Sequence, residues 1–238
     1  MLNLFKKKPV IEFYCHPDVY GVIPEPRPAA KYVPEWFKKI PQELNTKDRF
    51  QNPAMTAKKC LPLLDAMTLG YVIPLAGDTR IKTNADCSMI KADNPPSFPT
   101  VEFHSIDQLG GKSAPGFPAP PIKFINRWVI KTAPGWSVLI LPVINHLQTD
   151  FTCLAGVVDT DKYPKEINFP AVWHTPNFDG SLKAGTPLVT VIPFKRNSWP
   201  KDPIVRAMST AEFKEIGRID RVQGSRNSYY TKELREPR

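Results

Sequence analysis

The residues that mark a disulfide scaffold, a metal knuckle or a membrane span are missing from this 238-residue chain. Its four cysteines, Cys15, Cys60, Cys87 and Cys153, stand far apart with no C-x-x-C pair, which argues against both a disulfide framework and a zinc knuckle. The histidines, His16, His104, His146 and His174, are equally scattered, so neither H-E-x-x-H nor any paired spacing offers a metal site, and no metal is expected. No apolar stretch approaches the roughly 18–20 residues that cross a bilayer. Residues 1–10, with Lys6, Lys7 and Lys8 and no apolar segment after them, do not read as a signal peptide. A reducing cytoplasm, or an assembly built there, is therefore expected, with no membrane partner. Runs of five like charges and internal repeats are also missing, so nucleic acid is not expected as the primary partner.

Proline, by contrast, is abundant: 27 residues, about twice the usual share of about 5%. Neither a collagen glycine period nor a repeated proline motif accompanies it. With 42% hydrophobic and 11% aromatic residues the chain can bury a core. Proline breaks helix interiors and cannot donate to a sheet ladder, so an apolar, proline-rich chain should be built of short strands, edges and fixed loops. An all-helical protein is excluded. The net charge of +9 lies mainly at the ends: residues 1–60 carry +5, residues 61–200 carry +1 and residues 201–238 carry +3. A basic end suits an acidic surface or a phosphate as well as plain solvent.

Three segments follow. Residues 1–60 hold one strand signal, at 10–14, and then prolines too closely spaced for regular structure apart from a short helix at 34–40. Phe13, Tyr14, Val22, Ile23, Trp36 and Phe37 mark this arm as one that packs. Residues 61–200 open on a helix with Pro62 in its first turn and Gly70 as its stop. Strands are predicted after it at 71–75, 79–83, 100–104, 122–131, 137–143, 151–158, 167–173 and 187–194, with alternation weakest in 122–131, as in an antiparallel barrel or sandwich. Cys153 falls in the core of one of them, and the loop 106–121 is long enough to form an interaction surface. In residues 201–238, Ser209-Thr210-Ala211-Glu212 is a capping box. Phe213, Ile216, Ile219 and Val222 recur every three residues behind it, predicting an amphipathic helix over 210–222, and Tyr229, Tyr230 and Leu234 suit a last short turn.

One succession carries chemistry. Ala-Pro-Gly-Trp at 133–136 leads into the apolar SVLILP, then into AGVVDTDKY from Ala155 and KAGTPLVTVIPF from Lys183. This order resembles the dUTPase and dCTP deaminase superfamily, whose β-clip fold strings together a PPG turn, a strand ending in Pro, an AGVIDxDYxGE turn and a late GDRIAQ strand. The resemblance covers about a quarter of the chain, and AGVVDTD is its most specific part. It implies that Asp159 matches the aspartate that orients the attacking water, Asp161 the second aspartate of the turn and Tyr163, shifted by one, the aromatic that stacks on the base. The family's phosphate-gripping Arg-Ser-Gly falls on Val143, Ile144 and Asn145. Its GDRIAQ becomes Gly185-Thr186-Pro187-Leu188-Val189-Thr190, and its glycine-rich lid has no match in Arg221–Ser225. Phosphoryl chemistry needs preorganised positive charge where negative charge develops; an apolar Val143 in place of that arginine removes it.

Asp159 and Asp161 thus stand as candidate catalytic residues, and Asn145, Asp159 and Tyr163 as candidate ligand-binding residues. A D-x-D turn that caps its own backbone amides accounts for the same pattern without chemistry. Tyr163, Trp136 and Trp173 also suit a core or rim, and His146 beside Asp150 lacks a nucleophile to serve. Across nearly the whole chain, IEFY, PLLDAMTLGYVIPL, IKTN, PGWSVLILPVIN, GVVDTDKY, INFPAVW and GTPLVTVIPFKR resemble a family without established activity that is common in tailed phages of marine bacteria, including cyanophages. The reading that follows is a mainly β protein: a β-clip (dUTPase-like) antiparallel barrel or sandwich with an extended proline-rich N-terminal arm and a C-terminal helix. Its expected role is non-enzymatic, as a phage structural, assembly or binding protein. The expected partners are other phage proteins or itself, in a possible homotrimer, within the host cytoplasm or the assembled virion, and no cofactor is expected. The alternative is a nucleotide-binding protein or nucleoside triphosphate pyrophosphatase that uses Asp159, with Mg²⁺ as cofactor and with Lys162, Lys165 or an arm from a neighbouring subunit supplying the replacement cation.

Overall fold

Thr79-Arg80-Ile81-Lys82-Thr83 shows how the sequence makes this structure: Thr79, Ile81 and Thr83 are buried while Arg80 and Lys82 face out, the two-residue period of a half-buried strand. The computed structural model describes residues 10–47, 51, 53–110, 121–147, 149–198, 202–225 and 229–236. It divides into two units, Met1–Ser198 and Trp199–Arg238. Strands of the first unit are β1 (Ile11–Tyr14), β2 (Arg27–Pro28), β3 (Glu43–Lys47), β4 (Pro53–Met55), β5 (Tyr71–Pro74), β6 (Thr79–Thr83), β7 (Ile90–Asp93) and β8 (Val101–Phe103). After them come β9 (Ile122–Phe124), β10 (Val129–Thr132), β11 (Trp136–Pro142), β12 (Phe151–Cys153), β13 (Gly156–Val158), β14 (Phe169–Trp173), β15 (Asp179–Leu182) and β16 (Pro187–Lys195). Two short helices, α1 (Glu35–Lys39) and α2 (Leu61–Thr68), precede β5. Gly70, at φ +76°, ends α2, and a Cβ there would strike the Val191 carbonyl.

The protein is mainly β, and its described strand pairs are antiparallel. One sheet runs β13-β11-β16-β5-β2, a second β12-β14-β9-β8 and a third β15-β6-β7, with β1-β10 and β3-β4 as two-stranded ribbons. None of these sheets closes, so the arrangement is not a closed barrel. The backbone of the first sheet is the β11–β16 pair, in register from Trp136↔Lys195 to Pro142↔Val189. Val138, Ile140, Val189, Val191 and Ile73 from this sheet share one core with Ile122, Phe124, Phe151, Phe169 and Trp173 from the second. Phe151 lies 4.7 Å from Phe124 and 6.2 Å from Trp173, centroid to centroid. Each such fully buried side chain contributes about 1.5–3 kcal/mol.

Two predicted strands are each two strands. Residues 122–131 break because Asn126 turns its side chain on its own backbone: Nδ2 donates to the Trp128 carbonyl at 2.6 Å and Oδ1 accepts from the Trp128 amide at 2.9 Å. A side chain that satisfies the local backbone in this way competes with the ladder. Residues 151–158 change sheets, so that β12 belongs to the second sheet and β13 to the first. In the N-terminal segment, Ile23, Ala29 and Phe37 are buried in their own chain. The Trp128 indole donates to the Pro24 carbonyl at 3.1 Å, and β2 pairs with β5. Of the predicted loop 106–121, residues 111–120 lie outside the described residues, and residues 106–109 form one tight helical turn.

In the second unit the capping box forms. Ser209 N donates to Glu212 Oε2 at 2.6 Å and Glu212 N donates to Ser209 Oγ at 3.3 Å, which starts α3 (Thr210–Ser225). The helix runs three residues past the predicted end at Val222, and a further turn spans Tyr230–Leu234.

Candidate functional site

Gly135 takes φ +82° to turn the chain into β11, and the Asp159-Thr160-Asp161 turn leaves β13, whose Val158 pairs with Val138. This register lays the two turns side by side. Asp159 Oδ1 accepts from Ser137 Oγ at 2.6 Å, and Asp161 Oδ2 accepts from the Gly135 amide at 2.9 Å. The third partner arrives at the end of β16: Arg196 Nη1 and Nη2 grip Asp161 Oδ1 and Oδ2 at 2.7 and 2.6 Å, a two-pronged charge-assisted pair. Arg196 Nη1 also donates to the Trp136 carbonyl at 3.0 Å and lies 3.4 Å from Asp159 Oδ1. The Arg196 fork, helped by the Gly135 amide, holds the Asp161 carboxyl well below the usual carboxylate range. Beneath the turn, Thr160 is buried and shares a hydroxyl contact of 2.8 Å with Thr132.

Asp161 is therefore a structural lock, with a side chain only 8% exposed, whereas that of Asp159 is 54% exposed and turns one carboxylate edge to solvent. The turn delivers Tyr163: its amide and that of Lys162 both donate to the Asp159 carbonyl at 2.9 Å, one helical turn that stands Tyr163 on the wall of an open cleft. The cleft has a volume of about 610 Å³ and runs between the chain at Tyr14–Pro17 and the segment from Tyr163 to Asn168. Of the sequence candidates, Asp159, Asp161 and Tyr163 are neighbours through this turn.

Asn145 is not among them. It occupies a left-handed turn at φ +60° beyond Pro142, and its carbonyl accepts from the Trp36 indole at 2.9 Å. Ser137, the partner of Asp159, and Pro142 are separated by most of β11, roughly 16 Å of strand. Asn145 and Asp159 therefore lie toward opposite ends of β11. At the Asn145 end, a cavity of about 40 Å³ lies among Pro142, Val143, His146, Thr149 and Thr152, large enough for a water. His146 contacts the Tyr32 carbonyl at 2.7 Å through Nε2, and Asp150 accepts from Thr175 Oγ1 at 2.6 Å, so these two do not form an acid–base pair.

Sequence reasoning missed Arg196, Ser137 and Gly135. Arg196 stands at the end of the GTPLVTVIPFKR run, but only the Trp136↔Lys195 pairing carries it to Asp161, 35 positions away. All four cysteines are free thiols, and burial pushes the Cys153 thiol up to about 12. No protein-family model matches the chain, and no curated protein is significantly similar to it.

Proposed function

We propose that this chain is a non-catalytic binding or assembly protein, of the kind that builds or decorates a phage particle, working with copies of itself or with other particle proteins. The observation that carries the reading is Arg196. The cation that stands at the aspartate turn is engaged by Asp161, by the Trp136 carbonyl and by Ser137, and so is committed to the fold and not free to meet a substrate's phosphates. Among the described residues no helix is long and apolar enough to cross a membrane. The test is quantitative mass spectrometry of purified particles, with the chain expected at a fixed copy number. Its absence from them overturns the virion role.

A second reading rests on the solvent-facing edge of Asp159: a nucleotide-binding protein or nucleoside triphosphate pyrophosphatase, in which Asp159 would hold Mg²⁺ and the ion would supply positive charge for the phosphates. It requires a cation other than Arg196 to meet the phosphate chain, since releasing Arg196 would undo the lock on Asp161.

A further inference from the structure

The C-terminal unit carries apolar surface that it does not bury. Ile204 is 91% exposed, Met208 55%, Phe213 68% and Ile216 47%, within a unit that spans only Trp199–Arg238. Folded pieces this short usually need a disulfide, a metal or a partner to hold them. The segment has neither cysteine nor histidine, which leaves the partner. Its apolar side chains are grouped. Ile204 and Met208, from the stretch before α3, and Ile216, from the helix, line one open cavity of about 670 Å³. Phe213 lies three residues before Ile216, hence beside it on the helix surface, and stands just outside that cavity.

We propose that this face pairs with the same face of a second copy of the chain, each Phe213 entering the other copy's cavity. A knob and a hole side by side on one surface are what a two-fold contact requires, because each copy then supplies what the other lacks. The hole is large enough, since a cavity of about 150 Å³ already takes a benzene ring. The area also fits. At about 200 Å² for a fully exposed large apolar residue, these four side chains present roughly 500 Å². A stable interface covers about 800 Å² per partner, and in homodimers about 65% of it is apolar, which is again about 500 Å². Charge, by contrast, selects no partner of one sign. Arg206 forks onto Glu212 at 2.8 and 2.5 Å, and Arg218 onto Glu215 at 2.8 and 2.7 Å, so the carboxylates around the cavity already meet their own arginines. Gly217, one turn on from Phe213, leaves room for close approach: a Cβ there would meet only the Arg221 guanidinium, at 3.6 Å. The inference rests on the binding or assembly reading above and names the surface through which copies of the chain meet.

The experiment is analytical ultracentrifugation of the full chain at about 1–100 µM. At the upper end the unaltered chain should have about twice the mass of Phe213→Asp and of Ile204→Asp, whatever assembly the first unit forms. Because the contact is apolar, about 1 M NaCl should leave the doubling intact. A second measurement does not depend on how those variants fold: a photoreactive benzoyl group on Phe213, in a mixture of isotopically light and heavy chains, should give light–heavy cross-links to Ile204, Met208 or Ile216. Equal masses for the unaltered and Asp chains, dissociation by salt, or cross-links confined to one chain overturn the proposal; the last would mean that the face folds onto its own first unit. The copy number in purified particles is measured independently, so a failure here leaves the assembly reading standing, and absence from particles leaves the pairing standing.

Discussion

Phe37→Ala tests whether the proline-rich N-terminal segment belongs to its own core. Phe37 is only 3% exposed, meets Trp36 edge-on at 5.6 Å, and has Lys58 Nζ 5.2 Å from its ring centroid. The same ammonium donates to the Phe37 and Lys38 carbonyls, both at 2.8 Å, closing the end of α1. Truncating a buried phenylalanine costs about 3–5 kcal/mol through lost transfer energy and the cavity left behind. A domain of this size loses about 2–4 °C of Tm per kcal/mol, so Tm should fall by about 6–20 °C. Scanning fluorimetry on both proteins at two concentrations a hundredfold apart reads the effect. Because the contacts lie within one chain, the loss of Tm should be the same at both. A fall below about 2 °C, or a fall confined to the higher concentration, would refute the intramolecular packing.

Asp161 gives a pH prediction. Its carboxyl is depressed in the folded state, so the stability it contributes is complete above its unfolded value of about 3.9 and is lost as pH falls through the lower folded value. Acid titration of Tm should therefore drop below about pH 4, with a shallower drop in Asp161→Asn; parallel curves would contradict the lock. Thiol labelling should follow exposure: at pH 8 the exposed Cys60 reacts with an aromatic disulfide reagent while Cys153, buried and pushed up to about 12, reacts only on unfolding. Equal rates for the two would contradict the described core.

Local patterns were legible in the sequence where a single period or a short-range bond decides the structure. Thr79–Thr83 alternates cleanly and is a strand with those bounds, and Ser209 and Glu212 cap a helix as their spacing predicts. Ile90–Asp93 and Asp179–Leu182 escaped notice because IKAD and DGSL are short and polar. They are strands because they flank β6 and borrow its burial. The break at Asn126 was hidden because an asparagine that bonds its own backbone looks, in sequence, like any polar residue in a strand. At the candidate site the aspartate turn was legible, and so was its capacity to serve the backbone alone. The contacts of Arg196 that favour the bracing role are a matter of sheet register, which no local pattern encodes. Asn145 was grouped with Asp159 and Tyr163 through the superfamily motifs, and the length of β11 separates it from them.

The account's central claim is that the aspartate turn braces the fold and does no chemistry. The direct measurement is nucleoside triphosphate turnover by the full chain with Mg²⁺, followed by chromatography of the products, beside thermal shifts of the unaltered chain and of Asp159→Asn. The account predicts no diphosphate release above background, no ligand-dependent shift in Tm, and an Asp159→Asn variant that melts close to the unaltered chain. Diphosphate release by the unaltered chain that Asp159→Asn abolishes, with Tm unchanged, would contradict it.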